Sequence, residues 1–333
     1  MNAQDIKKLA YQCGADLCGI TTLDRFEGAP PQMDPRYIMP DAKSMIVMGF
    51  RVMRGSLRGI EEGTFFSNYS AMGYGGLTYN FIPMTVMNMC RVIEDEGYEA
   101  IPIGHQSDWR AIDNDGNLRE RYSRPVEEGK PQPDIMLHLR ICAYLAGLGE
   151  IGYSKMLITP EFGPRLRIGV ILTELELEPD PIYNGPKLCD KCMACVRECP
   201  GGCIPAINSG KTVRVDLDGK ICEWGDIDMW RCYAFYTHAG RYYNPFVPKE
   251  VFDANENGDL DLLEGKTNVA DEKEIMKVYG ALQKYFPSWV GYNMAKCGGC
   301  IRGCVSMLEK KGGCMEDRFK EPLRKGKPWK LDR

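Results

Sequence analysis

The sequence predicts two unlike parts, an α/β domain of the α+β kind over residues 1–180 and a smaller cysteine-rich domain over residues 181–333. In the first part, segments with apolar residues at helical spacing alternate with short apolar runs that are typical of buried strands. In the second part, strand patterning disappears, and cysteine, glycine and aromatic residues dominate. The Pro- and acid-rich connector ELEPDPIYNGPKL separates the two parts.

Each element of the first part follows from its local pattern. DIKKLAYQCGADLCGI has apolar residues at helical spacing, and KSMIVMGFRVM predicts a buried strand. FIPMTVMNMCRVIEDEGY predicts a helix that ends at Gly97, and YEAIPIG a short strand after it. IMLHLRICAYLAGLG predicts another helix, and RLRIGVILTELEL another strand.

Charge and targeting signals narrow the class of protein. The formal net charge is -4 and no run of five or six basic residues occurs, which predicts small-molecule or protein partners and no nucleic-acid or anionic-lipid surface. No apolar run approaches the ~20 residues of a membrane helix. The start MNAQDIKKLAYQ lacks the features of a signal peptide or twin-arginine leader, so we expect a cytoplasmic protein.

Fifteen cysteines in such a chain indicate metal ligation and not disulfide bonding. The run CDKCMACVRECP has the spacing of a [4Fe-4S] motif, in which three thiolates converge on one cluster and the fourth ligates a second cluster. A zinc ribbon would need only four ligands and leaves the last cysteine and proline of this run unexplained. The sequence therefore predicts a ferredoxin-like domain with two clusters.

The later run CGGCIRGC supplies the complementary cysteines. In two-cluster ferredoxins, the last cysteine of each run ligates the other cluster, so we expect the last cysteine of this run to ligate the first cluster. The first ligand set is then Cys189, Cys192, Cys195 and Cys304. The second contains Cys199, Cys297 and Cys300 and needs one more ligand, for which Cys232, Cys222 and, more weakly, Cys203 are the candidates.

The segment GLGEIG satisfies GxGxxG, the pattern of a dinucleotide-binding turn. That turn follows a strand and opens a helix, whereas here the glycines follow the helical pattern IMLHLRICAYLA. The context therefore argues against NAD or FAD at this position.

Several of these segments, in this order, resemble the cobalamin-dependent reductive dehalogenases and epoxyqueuosine reductase. The resemblance spans roughly residues 80 to 305 and is carried by RVIEDEGYEAIPIG, AGLGEIGYSKMLITPEFGPRLR, CDKCMACVRECP, DMWRCYAFY and CGGCIRGC. It implies a nitroreductase-like domain that holds a base-off corrinoid beside the two-cluster domain. It also implies that the isolated cluster ligand is Cys232, which precedes Tyr233 and Tyr236. This chain has Tyr153 where dehalogenases usually carry a basic residue, and Val305 where epoxyqueuosine reductases have proline.

The resemblance implies a reductase that passes electrons from a low-potential donor, such as ferredoxin or flavodoxin, through the clusters to the corrinoid. The reaction would remove a halide or an oxygen leaving group from a small-molecule substrate. Two other functions stay open: a corrinoid-binding redox partner without its own substrate, and an iron–sulfur electron-transfer module whose first domain binds flavin or nothing.

The first domain also carries candidate site residues. The candidate proton donors are three phenols, one ammonium group and one carboxyl group: Tyr74, Tyr79, Tyr153, Lys155 and Asp134. Corrinoid contacts are expected from a segment whose glycines allow close backbone approach: Gly147, Gly149, Gly152, Tyr153, Ser154, Lys155, Met156, Leu157 and Gly163. Arg165 and Arg167 could bind the phosphate of the nucleotide tail or be solvent-facing positions of a strand. His138 is predicted to be a core residue.

A final motif lies in an insertion near residues 245–285. DANENGDLDLLE fits the calcium-loop pattern, with oxygen ligands at Asp253, Asn255, Asn257, Asp259 and Glu264. The alternative is an acidic surface turn, because no partner calcium loop is present in the sequence.

Overall fold

The computed structural model describes residues 1–105, 123–133, 135–285, 298–312, 314–315 and 319–333. Two predicted site residues, Asp134 and Cys297, lie outside these ranges.

A four-stranded antiparallel sheet forms the centre of the first part. The strands up to residue 180 are β1 (Leu17–Thr22), β2 (Ser44–Arg51), β3 (Ala100–Ile103), β4 (Glu150–Ile151), β5 (Leu157–Ile158) and β6 (Leu166–Thr173). The order in the sheet is β1-β2-β6-β3, and Val47 of β2 lies opposite both Gly19 and Val170. Strands β4 and β5 pair separately. The predicted mixture of helices and strands is confirmed, and the structure adds that the sheet is antiparallel.

Helices cover both faces of this sheet. They are α1 (Ala3–Gln12), α2 (Arg54–Glu62), α3 (Phe66–Asn68), α4 (Ile82–Asp95) and α5 (Leu139–Leu145), with a π-helix, Tyr69–Phe81, between α3 and α4. Alternate residues of β2 point to opposite faces. Ile46 and Met48 pack with α1 and α4, while Met45 and Val47 pack with α5. Burial on both faces explains why KSMIVMGF is apolar throughout.

Helix α1 is shorter than its sequence pattern predicts. A capping box at Asn2 begins it, and the chain turns at Gly14, where φ is +103°. The apolar residues that follow belong to β1, because DLCGI pairs with β2. The predicted helix is therefore correct only for its first eight residues, from Asp5 to Gln12.

The described residues of the second part form short helices and a hairpin, joined by long loops. Its elements are α6 (Ala194–Arg197), β7 (Thr212–Leu217), β8 (Lys220–Gly225), α7 (Met229–His238), α8 (Lys249–Asp253), α9 (Asp261–Glu264), α10 (Glu272–Leu282) and α11 (Gly299–Lys311). The expectation that strands end near residue 180 is wrong for β7 and β8. Asp218 and Gly219 both have positive φ, which is the type I′ turn that an Asp-Gly pair favours between strands.

Apolar clusters fix where these elements lie. Phe235 of α7 is buried with Phe252, Leu262 and Val278, so the insertion near residues 245–285 packs against α7. A second cluster joins the two parts of the chain. It contains Leu57, Ile60 and Phe66 from the first part with Ile301, Val305 and Leu323 from the second. None of the described helices is both long and apolar enough to cross a membrane.

Substitution of Gly149 by alanine tests the packing of the glycine segment. A Cβ there would lie 2.1 Å from the carbonyl oxygen of Ile158, so we expect Gly149→Ala to lower the free energy of unfolding by about 1–3 kcal/mol. The matched control is Gly280→Ala in α10, where a Cβ meets nothing within 4 Å and the helix should gain ~0.5–1 kcal/mol. Chemical denaturation measures both, and equal stability of the two variants would contradict the packing argument.

Candidate functional site

Four cysteines from two distant segments lie together. Cys189 and Cys192 lie on the turn that leads into α6, and Cys195 lies in the first turn of that helix; the chain curls here because Lys191 and Met193 adopt positive φ. Cys304 comes from α11. Burial raises the pKa of the Cys304 thiol, and the Cys189, Cys195 and Cys192 thiols raise it further. Burial, then Cys189, also raises the pKa of Cys195, to about 11. The structure thus gathers the predicted first ligand set, which we call the first thiol group.

The glycine segment borders this first thiol group. The backbone N–H of Tyr153 donates to Sγ of Cys189 at 3.4 Å, and the N–H of Cys189 donates to the Glu150 carboxylate. A Cβ at Gly147 would lie 2.3 Å from the carbonyl oxygen of Pro181. A Cβ at Gly163 would lie 2.6 Å from Sδ of Met315. The close approach that these glycines allow is therefore to the chain itself. Contact between residues 147–157 and a corrinoid stays a prediction.

Cys199 and Cys232 share a different environment. Both pack against the apolar cluster that contains Phe235. The Cys203 thiol, followed by nearby backbone N–H groups, lowers the pKa of Cys199 to about 6, and the N–H of Cys203 donates to its sulfur at 3.3 Å. Cys222 instead lies on β8 against the core of the first part. This placement favours Cys232 over Cys222 as a companion of Cys199.

Among the residues with described positions, no three His, Cys, Asp or Glu side chains converge to hold a metal ion. A four-iron cluster separates its thiolates more widely than a single ion does. The argument for a cluster over a zinc site remains the cysteine spacing of CDKCMACVRECP.

Arg167 of β6 lies at the centre of a group of tyrosines. Its Nη2 donates to the hydroxyl of Tyr69 at 3.2 Å, and its guanidinium carbon lies 4.6 Å from the ring centroid of Tyr74. Tyr236 of α7 packs edge-on against Tyr74. Burial, followed by Tyr69, raises the pKa of Tyr236 well above its usual value, against the opposing effect of Arg167. Arg167 is half-buried here, and its face of the strand is covered by these rings.

Two predicted proton donors lie in the same group. The hydroxyls of Tyr74 and Tyr79 are 3.1 Å apart, and the ring of His105 lies 5.1 Å from that of Tyr79. Tyr79 is 37% exposed, so a ligand could reach its hydroxyl from solvent. We call Tyr69, Tyr74, Tyr79, His105, Arg167 and Tyr236 the tyrosine–arginine site.

The other predicted donors lie elsewhere. The Tyr153 hydroxyl is buried and donates to the carbonyl of Pro205 at 3.1 Å. Nζ of Lys155 lies 5.5 Å from the ring centroid of Trp224. Burial, then Arg140, lowers the pKa of Lys155 to about 8. Tyr153 and Lys155 therefore do not share a site with Tyr74 and Tyr79.

His138 lies beside Lys155 and is half-buried. Burial, then Lys155 and Arg140, holds its pKa well below the usual value. Its Nδ1 accepts a hydrogen bond from the N–H of Ile141 at 3.3 Å, at the start of α5. His138 is therefore a half-buried cap of α5 and not a fully enclosed core residue.

Arg165 and the proposed calcium loop make contacts that differ from their predicted roles. Nη1 of Arg165 donates to the carbonyl of Val52 at 2.7 Å in the interior, so this arginine does not face solvent. In the loop, Arg241 pairs with both Asp253 and Glu264, the first and last predicted calcium ligands. The guanidinium thus neutralises the carboxylates that calcium would need. This arrangement favours the acidic surface turn.

Three members of the tyrosine–arginine site were missed by sequence reasoning. Tyr69 and His105 carry no local signal that points to Arg167. Tyr236 has one, because it lies four residues after Cys232 on α7, and residues at this spacing share a helix face. The π-helix was also missed, since its glycine-rich sequence, YSAMGYGGLTYNF, resembles a loop.

Comparisons with known proteins agree with the motifs. Tetrachloroethene reductive dehalogenase from Sulfurospirillum multivorans is 26% identical over 219 residues, which cover 64% of this chain and 36% of the relative. The chain is similar to reductive dehalogenases and to epoxyqueuosine reductases. Epoxyqueuosine reductase from Listeria monocytogenes is 36% identical over 77 residues, which cover 23% of this chain and 18% of that reductase. No family model matches the sequence.

A solved structure with a TM-score of 0.50 supports the fold. A catabolic reductive dehalogenase in complex with 3-bromo-4-hydroxybenzoic acid gives a TM-score of 0.50 at 16% identity, covering 99% of this chain and 41% of the dehalogenase. Epoxyqueuosine reductase with a tRNA-Tyr epoxyqueuosine-modified stem loop gives a TM-score of 0.43 at 16% identity, covering 92% and 80% of the two chains. The chain spans about a third of the length of the first curated dehalogenase that it matches.

Replacement of Lys155 by methionine tests its buried environment. In the unfolded chain its pKa is 10.5, whereas in the folded protein it is about 8. Between these values the unfolded state binds more protons, so this residue makes stability rise with pH, by at most about 1.4 kcal/mol per pH unit. Denaturation from pH 7.5 to 10 should show a flatter rise for Lys155→Met than for the original protein. Parallel curves would contradict the lowered pKa.

Proposed function

We propose that this protein is a corrinoid- and iron–sulfur-dependent reductase that cleaves a bond in a small-molecule substrate. The observation that carries the proposal is the first thiol group, in which Cys304 meets Cys189, Cys192 and Cys195 from more than a hundred residues away. This crossing is what a two-cluster ferredoxin-like domain requires. The relation to dehalogenases and epoxyqueuosine reductases supports the same cofactors.

The described residues fit the proposed clusters. The first thiol group would hold one [4Fe-4S] cluster, with the Tyr153 N–H as a donor to a ligand sulfur. Cys199, Cys232 and Cys300 would hold the second, together with Cys297. The low pKa of Cys199 suits this role, because the thiolate is the form that ligates iron.

The tyrosine–arginine site is the proposed location of substrate and corrinoid. Large apolar side chains are exposed on the π-helix that carries Tyr79 and on α4, among them Met72, Met84 and Met87. An exposed apolar surface with a few convergent polar groups fits a broad macrocycle and an apolar substrate. When bound, the corrinoid supplies a low-potential, nucleophilic metal centre. In this proposal the glycine segment borders the first thiol group, and residues 147–157 remain the alternative corrinoid contact.

Arg167 and the paired tyrosines supply what the bond cleavage needs from the protein. Arg167 would bind a departing halide or a developing oxyanion, because its guanidinium is charged at any relevant pH. Tyr79 would donate the proton to the substrate carbon, with the Tyr74 hydroxyl at 3.1 Å as its hydrogen-bond partner. For a halide, the substrate takes up two electrons and one proton, and the halide leaves as an anion.

Helix α7 links the second thiol set to this site. Cys232 and Tyr236 are four residues apart on it, which separates their Cβ atoms by about 5–6 Å. Electrons that reach the second cluster would therefore have a short route to the tyrosine–arginine site. The proposed source is a low-potential donor such as ferredoxin or flavodoxin.

Epoxyqueuosine reduction is the second candidate. The local match to epoxyqueuosine reductase favours it, and the solved relative carries a tRNA stem loop. A nucleic-acid substrate therefore belongs among those tested, although the net charge is negative.

Iron content and absorption spectra test the cofactors. We expect anaerobically reconstituted protein to hold about eight iron atoms per chain and to take up base-off cobalamin. Cys304→Ser should hold about four, because it removes a ligand of the first cluster, while Cys222→Ser should match the original protein. A flavin spectrum, or no cobalamin uptake by iron-loaded protein, would contradict the proposal.

Turnover with a strong reductant tests the reaction. Titanium(III) citrate would supply electrons, and the substrates are tetrachloroethene, 3-bromo-4-hydroxybenzoic acid and an epoxyqueuosine-modified tRNA stem loop. We expect Tyr79→Phe to lower kcat about 100-fold on the accepted substrate, since the proton donor is lost. Tyr11→Phe, on the exposed surface of α1, is the control. Undiminished turnover by Tyr79→Phe and Tyr74→Phe alike would rule out the assigned donor pair.

A further inference from the structure

The two cysteine-bearing segments approach each other most tightly at Glu198. It follows α6, between Cys195 and Cys199. A Cβ at Gly299 of α11 would lie 2.3 Å from the carbonyl oxygen of Glu198, and one at Gly303 would lie 2.6 Å from its Cγ. No side chain fits between the two segments, so the placement of Glu198 sets how closely α11 approaches the cysteine turn.

Arg324 binds the side chain of Glu198 with both terminal nitrogens, Nη1 to Oε1 at 2.8 Å and Nη2 to Oε2 at 3.2 Å. The same guanidinium reaches Glu61 of α2, with Nη2 3.3 Å from Oε2. Arg302 of α11, between Cys300 and Cys304, also pairs with Glu61. One ion-pair network therefore joins α2, α6, α11 and the segment 319–333.

This network is largely buried. The Glu61 side chain is 4% exposed, and those of Arg302 and Arg324 are 13% exposed. Burial alone would raise the pKa of Glu61, yet Arg324 and Arg302 outweigh it and the pKa is lowered. Removal of one partner from such a network leaves a buried charge uncompensated. The geometry of Glu198 therefore depends on Arg324.

Other contacts hold the segment that carries Arg324. The N–H of Leu323 donates to Oε2 of Glu309 on α11 at 2.7 Å, and Nε1 of Trp329 donates to the carbonyl of Ile60 at 2.7 Å. Glu309 also pairs with Arg54 at 2.7 Å, and both side chains are 9% exposed. Residues 319–333 thus bind the cysteine-bearing helix α11 and α2 of the first part together.

We propose that Arg324 is a positioning residue for the iron–sulfur clusters. It fixes Glu198 against α11, and so maintains the spacing between the cysteines on either side of Glu198 and those on α11. This inference rests on the iron–sulfur part of the proposed function and adds a role for residues outside both cysteine motifs.

The test compares Arg324→Ala with Lys325→Ala in the full chain. Lys325 is 57% exposed and pairs only at the surface, with Glu321. After anaerobic reconstitution, the rate of iron transfer to a colorimetric chelator is measured, together with the midpoint potentials of the clusters. We expect Arg324→Ala to lose iron about tenfold faster than the original protein, as is typical when a group that orients ligands is removed. Lys325→Ala should be unchanged.

Arg324→Lys distinguishes the effect of the guanidinium geometry from the effect of the positive charge alone. Lysine keeps the positive charge but cannot bind Glu198 and Glu61 with a planar fork, so iron loss should lie between the alanine variant and the original protein. If Arg324→Ala does not fold, Glu198→Gln replaces it, with Glu62→Gln at an exposed pair as its control. Iron loss and potentials equal to those of the controls would overturn the proposal. Failure of the original protein to take up iron would instead contradict the proposed function.

Discussion

Helix α11 lies directly on the cysteine turn because two glycines one turn apart, Gly299 and Gly303, present no side chain to Glu198. This approach brings Cys304 to the first thiol group. It also places Ile301 and Val305 in the apolar cluster shared with α2. A larger residue at either glycine would separate the two cysteine segments and open that cluster. Ligand geometry and the packing between the two parts therefore depend on the same contact.

Arg165 and Arg167 are both covered by other parts of the chain, but they have different partners. On either side of Leu166, Arg165 and Arg167 point to the same face of the β6 segment, as alternation requires. The prediction that they face solvent fails because the chain covers that face. Arg165 meets the carbonyl of Val52, and Arg167 meets the Tyr69 hydroxyl. Only the second arginine lies beside an exposed phenol, Tyr79, which is why it can take part in binding a ligand.

The segment GLGEIG shows how one pattern can serve different structures. Its glycines permit close approach of backbone to backbone, which a dinucleotide site also needs. Here the partners are the carbonyls of Pro181 and Ile158, and the neighbouring N–H of Tyr153 donates to a cysteine sulfur. The GxGxxG pattern indicates that another group approaches the backbone closely, but it does not identify that group.

The sequence by itself determined the elements whose signals are local. Strands β2 and β6 and helix α4 follow from apolar periodicity, and the cysteine spacing identified the thiols that the structure gathers. Tertiary structure alone decided the antiparallel order of the sheet, the meeting of Tyr69, Tyr74 and Tyr236 around Arg167, and the pairing of Arg241 with the acidic turn. Periodicity records that a side chain is buried, but its partner depends on how distant segments pack.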